Sequence, residues 1–314
     1  LNIIVCQGLS KKYGKILALD NLDLEIEKGT LFGFLGPNGA GKTTALRIMV
    51  GLSQATGGKA WICGEEVKLN SSRLQKHIGY LPEEPAFYSW MTGREFLYFT
   101  GRLFQIPFAE IKSRADILLE LVGLTEAGKR RIGSYSRGMK QRLGIAQALI
   151  NQPEVLLLDE PCSALDPVGR LEVLETLSKL KEHTTIIMSS HILSDIERVC
   201  DEVAILNKGR LIVKSRIEEL RQRYAQPLFE LEFDQINDSI RHDIQKIPCV
   251  KQIFESKRGD IPILRIRVEN PVLDRKALLE AIVASNMPLR RYEMLLPNLE
   301  EVFVSLVGNQ QEKS

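Results

Sequence analysis

The run Gly36-Pro37-Asn38-Gly39-Ala40-Gly41-Lys42-Thr43-Thr44 fits the spacing G-x-x-x-x-G-K-[ST]. Glycines at these places let the backbone curl until successive N–H groups face one anion. A helix starting just after them adds the positive end of its dipole. Phosphate fits such a nest. Lys42 is then placed to reach the β- and γ-phosphates of a nucleotide, and the Thr43 hydroxyl to ligate Mg²⁺. Gly36, Asn38, Gly39, Ala40, Gly41 and Thr44 complete the cradle, mainly through their backbone. An ordinary glycine-rich turn would not need the apolar strand before it and the helical pattern after it.

A second chemical pair stands in VLLLDE, residues 155–160. Asp159 closes an apolar run of strand length, where a carboxylate is costly unless it holds a cation directly or through water. Glu160 beside it can orient or deprotonate an attacking water. Two adjacent carboxylates can also be plain charges at a helix N-terminus. The phosphate loop upstream favours the catalytic reading.

The elements that must position these residues follow from periodicity. Residues 3 to about 35 alternate apolar and polar positions, with turn signals at Tyr13-Gly14 and Lys28-Gly29, and predict antiparallel strands leading into TLFGFLG. ALRIMVGL after the glycine loop has helical spacing and ends on a glycine. Helical patterns dominate from about Ser89 to Ile150. Beyond them come VLLLDEP, a helix in VGRLEVLETLSKLKEH, the strand TTIIMSS, a helix in HILSDIERVC and the strand EVAILNKGR. Strands alternating with helices predict an α/β fold: a P-loop core with a parallel sheet, an antiparallel β subdomain and an inserted helical subdomain over 89–150. The pattern restarts near Tyr224-Ala225-Gln226-Pro227, dividing the chain into 1–224 and 225–314. The second part reads β-α-β-β-α-β, a small α+β domain of ferredoxin-like order, with a hairpin turn at 257–260 and a last helix in 299–308.

Composition narrows the classes. A length of 314 residues favours two domains, and a net charge of +2 gives no footprint of nucleic-acid binding. The five cysteines, Cys6, Cys63, Cys162, Cys200 and Cys249, are scattered without C-x-x-C spacing, and predict neither disulfides nor a zinc site. No apolar stretch approaches the roughly 20 residues needed to span a bilayer, so membrane association is expected through a partner. The chain opens on Leu1 rather than Met, as expected if its start lies further upstream.

Together the motifs and their order resemble the ATP-binding cassette (ABC) ATPases. The resemblance implies ATP and Mg²⁺ as ligands. It implies Lys42, Glu160 and His191 as catalytic residues, Thr43 and Asp159 as the metal's ligands, and Tyr13 as the aromatic that stacks on adenine. His191, after TTIIMSS, matches the switch histidine that contacts the γ-phosphate. His77, His183 and His242 match nothing. Tyr135-Ser136-Arg137-Gly138-Met139 stands at the place of the family signature LSGGQ and keeps only Ser136 and Gly138 of it. In this family that segment grips the γ-phosphate bound to the opposite protomer; read alone, Ser136 is a helix N-cap. Ser163-Ala164-Leu165-Asp166 resembles the D-loop, which touches the other subunit. IGYLPEEPAF resembles the Q-loop segment, with Glu83 where most relatives carry Gln, and Glu83 is a further expected Mg²⁺ contact. LLPNLEEVFVSLVG resembles the C-terminal segment of bacterial cassettes that serve separate exporter-type permeases.

The expected partners are thus a transmembrane permease and a second cassette, identical or different, with no nucleic acid. The expected place is the cytoplasmic face of the membrane. The other reading is a soluble ABC ATPase acting on ribosomes or DNA. Such relatives usually carry two cassettes or a long coiled coil, and this chain shows one cassette and no sustained heptads.

Overall fold

A computed structural model describes residues 1–224, 228–234, 236, 238–258, 261–284 and 288–295. The hairpin turn expected at 257–260 lies partly, and the helix expected in 299–308 wholly, outside the described residues. Two compact units divide the chain, Leu1–Ile217 and Glu218–Ser314.

The first unit opens with the long strands β1 (Asn2–Tyr13) and β2 (Ile16–Glu27), joined by a tight turn at Gly14. With β4 (Gly57–Ile62) and β5 (Glu65–Glu66) they make an antiparallel sheet of order β2-β1-β4-β5. The core sheet takes β3 (Leu31–Leu35), β6 (Ile78–Leu81), β7 (Val155–Asp159), β8 (Thr185–Ser190), β9 (Glu202–Asn207) and β10 (Arg210–Arg216). Its order is β10-β9-β3-β8-β7-β6. All pairings are parallel except β9 with β10. Every residue of β3, β7 and β8 is buried, the pattern of central parallel strands covered on both faces.

Helices α1 (Lys42–Met49), α6 (Pro167–Leu180) and α7 (Leu193–Val199) follow strands of this sheet, and the short α2 (Ser72–His77) precedes β6. A single apolar cluster joins Ile4, Leu9, Leu22 and Ile26 of the antiparallel sheet to Phe34, Leu46, Leu157 and Ile187. Between β6 and β7 the chain inserts α3 (Gly93–Leu103), α4 (Phe108–Leu121) and α5 (Arg137–Leu149). Thr92 and Glu95 start α3 with a capping box, and Ser136 caps α5 through Met139 N–H.

Helix α8 (Ile217–Tyr224) leads into the second unit. There β11 (Leu228–Phe233), α9 (Asp238–Gln245), β12 (Val250–Arg258), β13 (Ile261–Val268), α10 (Pro271–Ala284) and β14 (Leu289–Leu295) form an antiparallel sheet of order β12-β13-β11-β14. Phe229, Leu231 and Phe233 of β11 bury one face with Ile240, Ile244, Leu278 and Ile282 of the two helices. The alternating position Glu230 is also buried, and its carboxylate is held by Arg258 at 2.7 Å and Arg265 at 3.1 Å.

Candidate nucleotide-binding site

The glycine loop turns out of β3 and straight into α1. A Cβ on Gly36 would stand 2.3 Å from Leu206 O, and one on Gly41 2.6 Å from Ala18 O. Gly41, at φ 106, is also in a conformation L side chains rarely adopt, so only glycine serves there. It caps α1 without a side-chain hydrogen bond, and no acidic residue enters the first turn. The positive end of this helix is therefore left for an external anion.

Lys42 is buried at 6% exposure, with Nζ donating to Gly36 O at 2.7 Å and standing 3.6 Å from Glu160 Oε1. The Thr43 hydroxyl donates to Asp159 Oδ1 at 3.1 Å, which brings the two expected metal ligands together. Asp159 ends β7 fully enclosed, and the same Oδ1 accepts from Ser189 Oγ at 2.7 Å. Glu160 turns the chain out of the strand at φ 50, a left-handed conformation that costs about 1–3 kcal/mol for such a residue. Three contacts hold it there. Its N–H donates to Ser189 Oγ at 2.9 Å, its carbonyl accepts from Gln141 Nε2 at 3.3 Å, and His191 Nδ1 lies 2.9 Å from Oε2.

Above these groups opens a cleft of ≈ 670 Å³. Asn38 to Thr44 form its floor, Glu160 and His191 one wall, and Tyr13, Glu83 and Lys208 its rim. Tyr13 is 45% exposed; Lys11 Nζ sits 4.9 Å above its ring, and its hydroxyl lies 3.4 Å from Ser53 Oγ. Gly36 sits beneath the loop and Asp159 beneath Thr43. Ser136 and Gly138 do not line this cleft. Gly138 packs instead against Leu165 and Ala164, and Asp166 caps α6 through Gly169 N–H at 2.7 Å. Burial pushes the Cys162 thiol up to about 12, so it offers no nucleophile beside Glu160.

Sequence reasoning did not find Ser189, Gln141, Lys208 or the pair Arg170–Asp195, in which Arg170 Nε donates to a buried carboxylate on α7. Nothing in the local sequence marks them. Ser189 acts because the parallel register places it beside Asp159.

Known proteins resemble this chain along its length. A family model described as ABC transporter matches residues 19–163, and one described as ATP-binding protein DrrA1-3-like, C-terminal domain, matches 216–307. The uncharacterized ABC transporter ATP-binding protein YxlF of Bacillus subtilis is 38% identical over 96% of this chain and 98% of its own. The bacitracin transport ATP-binding protein BcrA of Bacillus licheniformis is 36% identical over 98% and 97%. Among solved structures, the dimeric ATP-binding cassette MJ0796 in a post-hydrolysis state with ADP and Pi superimposes with a TM-score of 0.63 at 25% identity. That match covers 68% of this chain and 98% of the other. With a phosphate loop, a half-buried Thr43–Asp159 pair and a His-held carboxylate in one cleft, and with relatives that match along its whole length, the chain belongs to the ABC transporter ATP-binding proteins of the DrrA/BcrA-like group, ATPases that work for transport.

Proposed function

We propose that this chain drives an exporter of antibiotic-like compounds, with the residues above as its working parts. The cargo class rests on relatives named for bacitracin transport, linearmycin resistance and daunorubicin resistance, each at least 32% identical over 98% of this chain. The single observation that carries the catalytic assignment is the Glu160 carboxylate, fixed between Lys42 and His191 at the mouth of the phosphate loop.

The mechanism follows from those positions. Loop N–H groups and the α1 N-terminus bind the triphosphate, and Lys42 exchanges its loop carbonyls and Glu160 for the β- and γ-phosphates. That exchange frees Glu160 Oε1 to take a hydrogen bond from water, while His191 keeps Oε2 in place. Thr43 Oγ1 and Asp159 Oδ1 are converging hard oxygens and suit Mg²⁺, which when bound neutralises charge on the phosphates. Glu83, exposed on the rim, would reach the metal through water and sense its arrival. Tyr13 would stack on adenine. Ser136 and Gly138, turned away from this cleft on the N-terminus of α5, would close the site of a second cassette.

A permease is the expected membrane partner. A groove of ≈ 240 Å³ lined by Leu52, Tyr80, Thr100 and Phe104 leaves Leu52 59% and Phe104 36% exposed, an apolar seat for a partner helix. No helix among the described residues is long and apolar enough to cross a membrane, and attachment at the cytoplasmic face would come through the permease. The second unit, by its strand order, reads as a ferredoxin-like domain whose candidate roles are dimer support, regulation or a stabilising cap.

The test is Glu160→Gln, which keeps shape and loses the base. ATP affinity should stay near wild type while turnover falls by about 10²-fold or more. With Mg-ATP the variant should dimerise, alone or with its permease, and Ser136→Arg should prevent it, as read by light scattering. In the same assays Glu83→Ala should shift the Mg²⁺ dependence of turnover. Near-wild-type hydrolysis by Glu160→Gln would remove Glu160 from the catalytic role, and an unchanged Mg²⁺ dependence would reduce Glu83 to surface.

A further inference from the structure

Away from the nucleotide cleft, three potential metal ligands from separate elements meet at the opposite end of the core sheet. Cys63 occupies the turn after β4, His77 ends α2, and Glu154 immediately precedes β7. Since Asp159 is the last residue of β7, the strand's five residues, roughly 3.3 Å each, separate this cluster from the nucleotide's metal ligands. The Cys63 Sγ, a ring nitrogen of His77 and a carboxylate oxygen of Glu154 lie within 4.8 Å of one another.

Backbone contacts pin two of the three. Cys63, at φ 53, donates its N–H to Ile3 O at 2.8 Å, and Glu154 O accepts from Thr185 N at 2.9 Å. His77 Nδ1 lies 2.8 Å from Glu154 Oε1, and Lys28 Nζ lies 3.5 Å from Oε2. We propose that Cys63, His77 and Glu154 form a binding site for a divalent transition metal of the Zn²⁺ class, with a fourth position open to water.

The donor set decides the class of ion. A sulfur, an imidazole nitrogen and one carboxylate suit borderline-soft Zn²⁺ and offer too few oxygens for Mg²⁺ or Ca²⁺. In a tetrahedral site neighbouring ligand atoms are about 3.5 Å apart, so His77 and Glu154, now hydrogen-bonded at 2.8 Å, must part slightly while both stay within reach of Cys63 Sγ. The side chains of His77 and Glu154 are 36% and 46% exposed and can rotate inward onto the more fixed Cys63. Binding forms a sulfur–metal bond and releases the thiol proton to solvent. Burial and then Glu154 push that thiol up to about 11, so the metal must displace a proton there. Lys28, 62% exposed at its side chain, leaves Glu154 for water. A metal held there would tie β4 of the antiparallel sheet to β7 of the core sheet.

The experiment uses the full chain saturated with Mg-ATP and titrated with Co²⁺, a Zn²⁺ stand-in with visible spectra. One equivalent should give a thiolate-to-cobalt charge-transfer band, which Zn²⁺ then bleaches. Cobalt among phosphate oxygens gives no such band. Cys63→Ser should lose the band. His77→Ala and Glu154→Gln should each weaken binding by about tenfold or more. Lys28→Gln, at a residue that is not itself a ligand, should tighten it by removing the cation that competes for Glu154. Hydrolysis of Mg-ATP should be unchanged in all four. The proposal is overturned by a wild-type chain without the band, by a band that survives Cys63→Ser, or by an affinity that neither His77→Ala nor Lys28→Gln alters.

Discussion

The Ser189 hydroxyl joins the Asp159 carboxylate to the backbone of Glu160, the two acidic residues proposed to hold the metal and to activate water. It donates to Asp159 Oδ1 and accepts from the Glu160 N–H, and it is wholly buried. Ser189→Ala would leave that N–H without a partner, at about 1–3 kcal/mol, and would release the residue whose left-handed backbone aims the carboxylate proposed to activate water. ATP hydrolysis should fall by about tenfold or more with ATP affinity nearly kept, because the phosphate loop itself is untouched. Equal losses in both would mean a collapsed fold rather than a misaimed Glu160. Lys42, Thr43, Asp159 and Glu160 were legible because each lies at a fixed spacing within a short motif. Ser189 was not, since its partner is 30 residues away and is met only through the register of β7 with β8. Ser136 was readable as a helix cap from its own residues, and as a grip on a partner's γ-phosphate only through the family resemblance. The structure shows that cap, and its proposed partner site belongs to another copy.

Elements were readable where they were long and uniformly buried. The apolar runs of β3, β7 and β8, and the amphipathic helices between Ser89 and Ile150, carry their own periods. Residues 57–81 carry none, because β4 begins on two glycines, β5 has two residues and α2 has six. How helices are tied together was equally invisible. Arg170 of α6, four residues past the D-loop aspartate, reaches Asp195 of α7, four residues past His191. Burial pushes the Asp195 carboxyl above the ordinary carboxylate range, and Arg170 opposes the shift. Arg170→Ala would strand a buried charge and should cost about 2 kcal/mol, below the 3–5 of a fully enclosed pair because Arg170 is 27% exposed. The sign with pH follows from the raised value. The folded state binds the Asp195 proton more tightly than the unfolded chain, so the penalty is full above the folded pKa and fades as pH falls toward the ordinary carboxylate range. Urea unfolding should therefore show a larger deficit at pH 7 than at pH 5. A deficit equal at the two would mean that Asp195 is not the charge Arg170 compensates.

At the scale of the molecule, each unit owns a hydrophobic core. The first joins its two sheets through Ile4, Phe34, Leu46 and Leu157, and the second packs Phe229, Leu231 and Phe233 against its own helices. The order β-α-β-β-α-β was legible because apolar positions alternate in LFELEF and ILRIRV, the strands that became β11 and β13. The ion cluster around Glu230 was not, because a glutamate in an alternating strand reads as solvent-facing until its arginine neighbours on β12 and β13 are known. Every residue assigned to ATP binding or hydrolysis lies in the first unit, between Tyr13 and His191. A chain ending at Tyr224 should therefore fold, retain ATP affinity within a few-fold and keep the unfolding transition of the first core. Two cores of this kind unfold as separate cooperative units unless strongly coupled, so the full chain should show a transition that the shortened chain lacks. Weakened ATP binding in a shortened chain with intact circular dichroism would show that the second unit supports the nucleotide site. If dimerisation with Mg-ATP is lost while single-site ATP binding persists, the second unit acts in holding the two cassettes together.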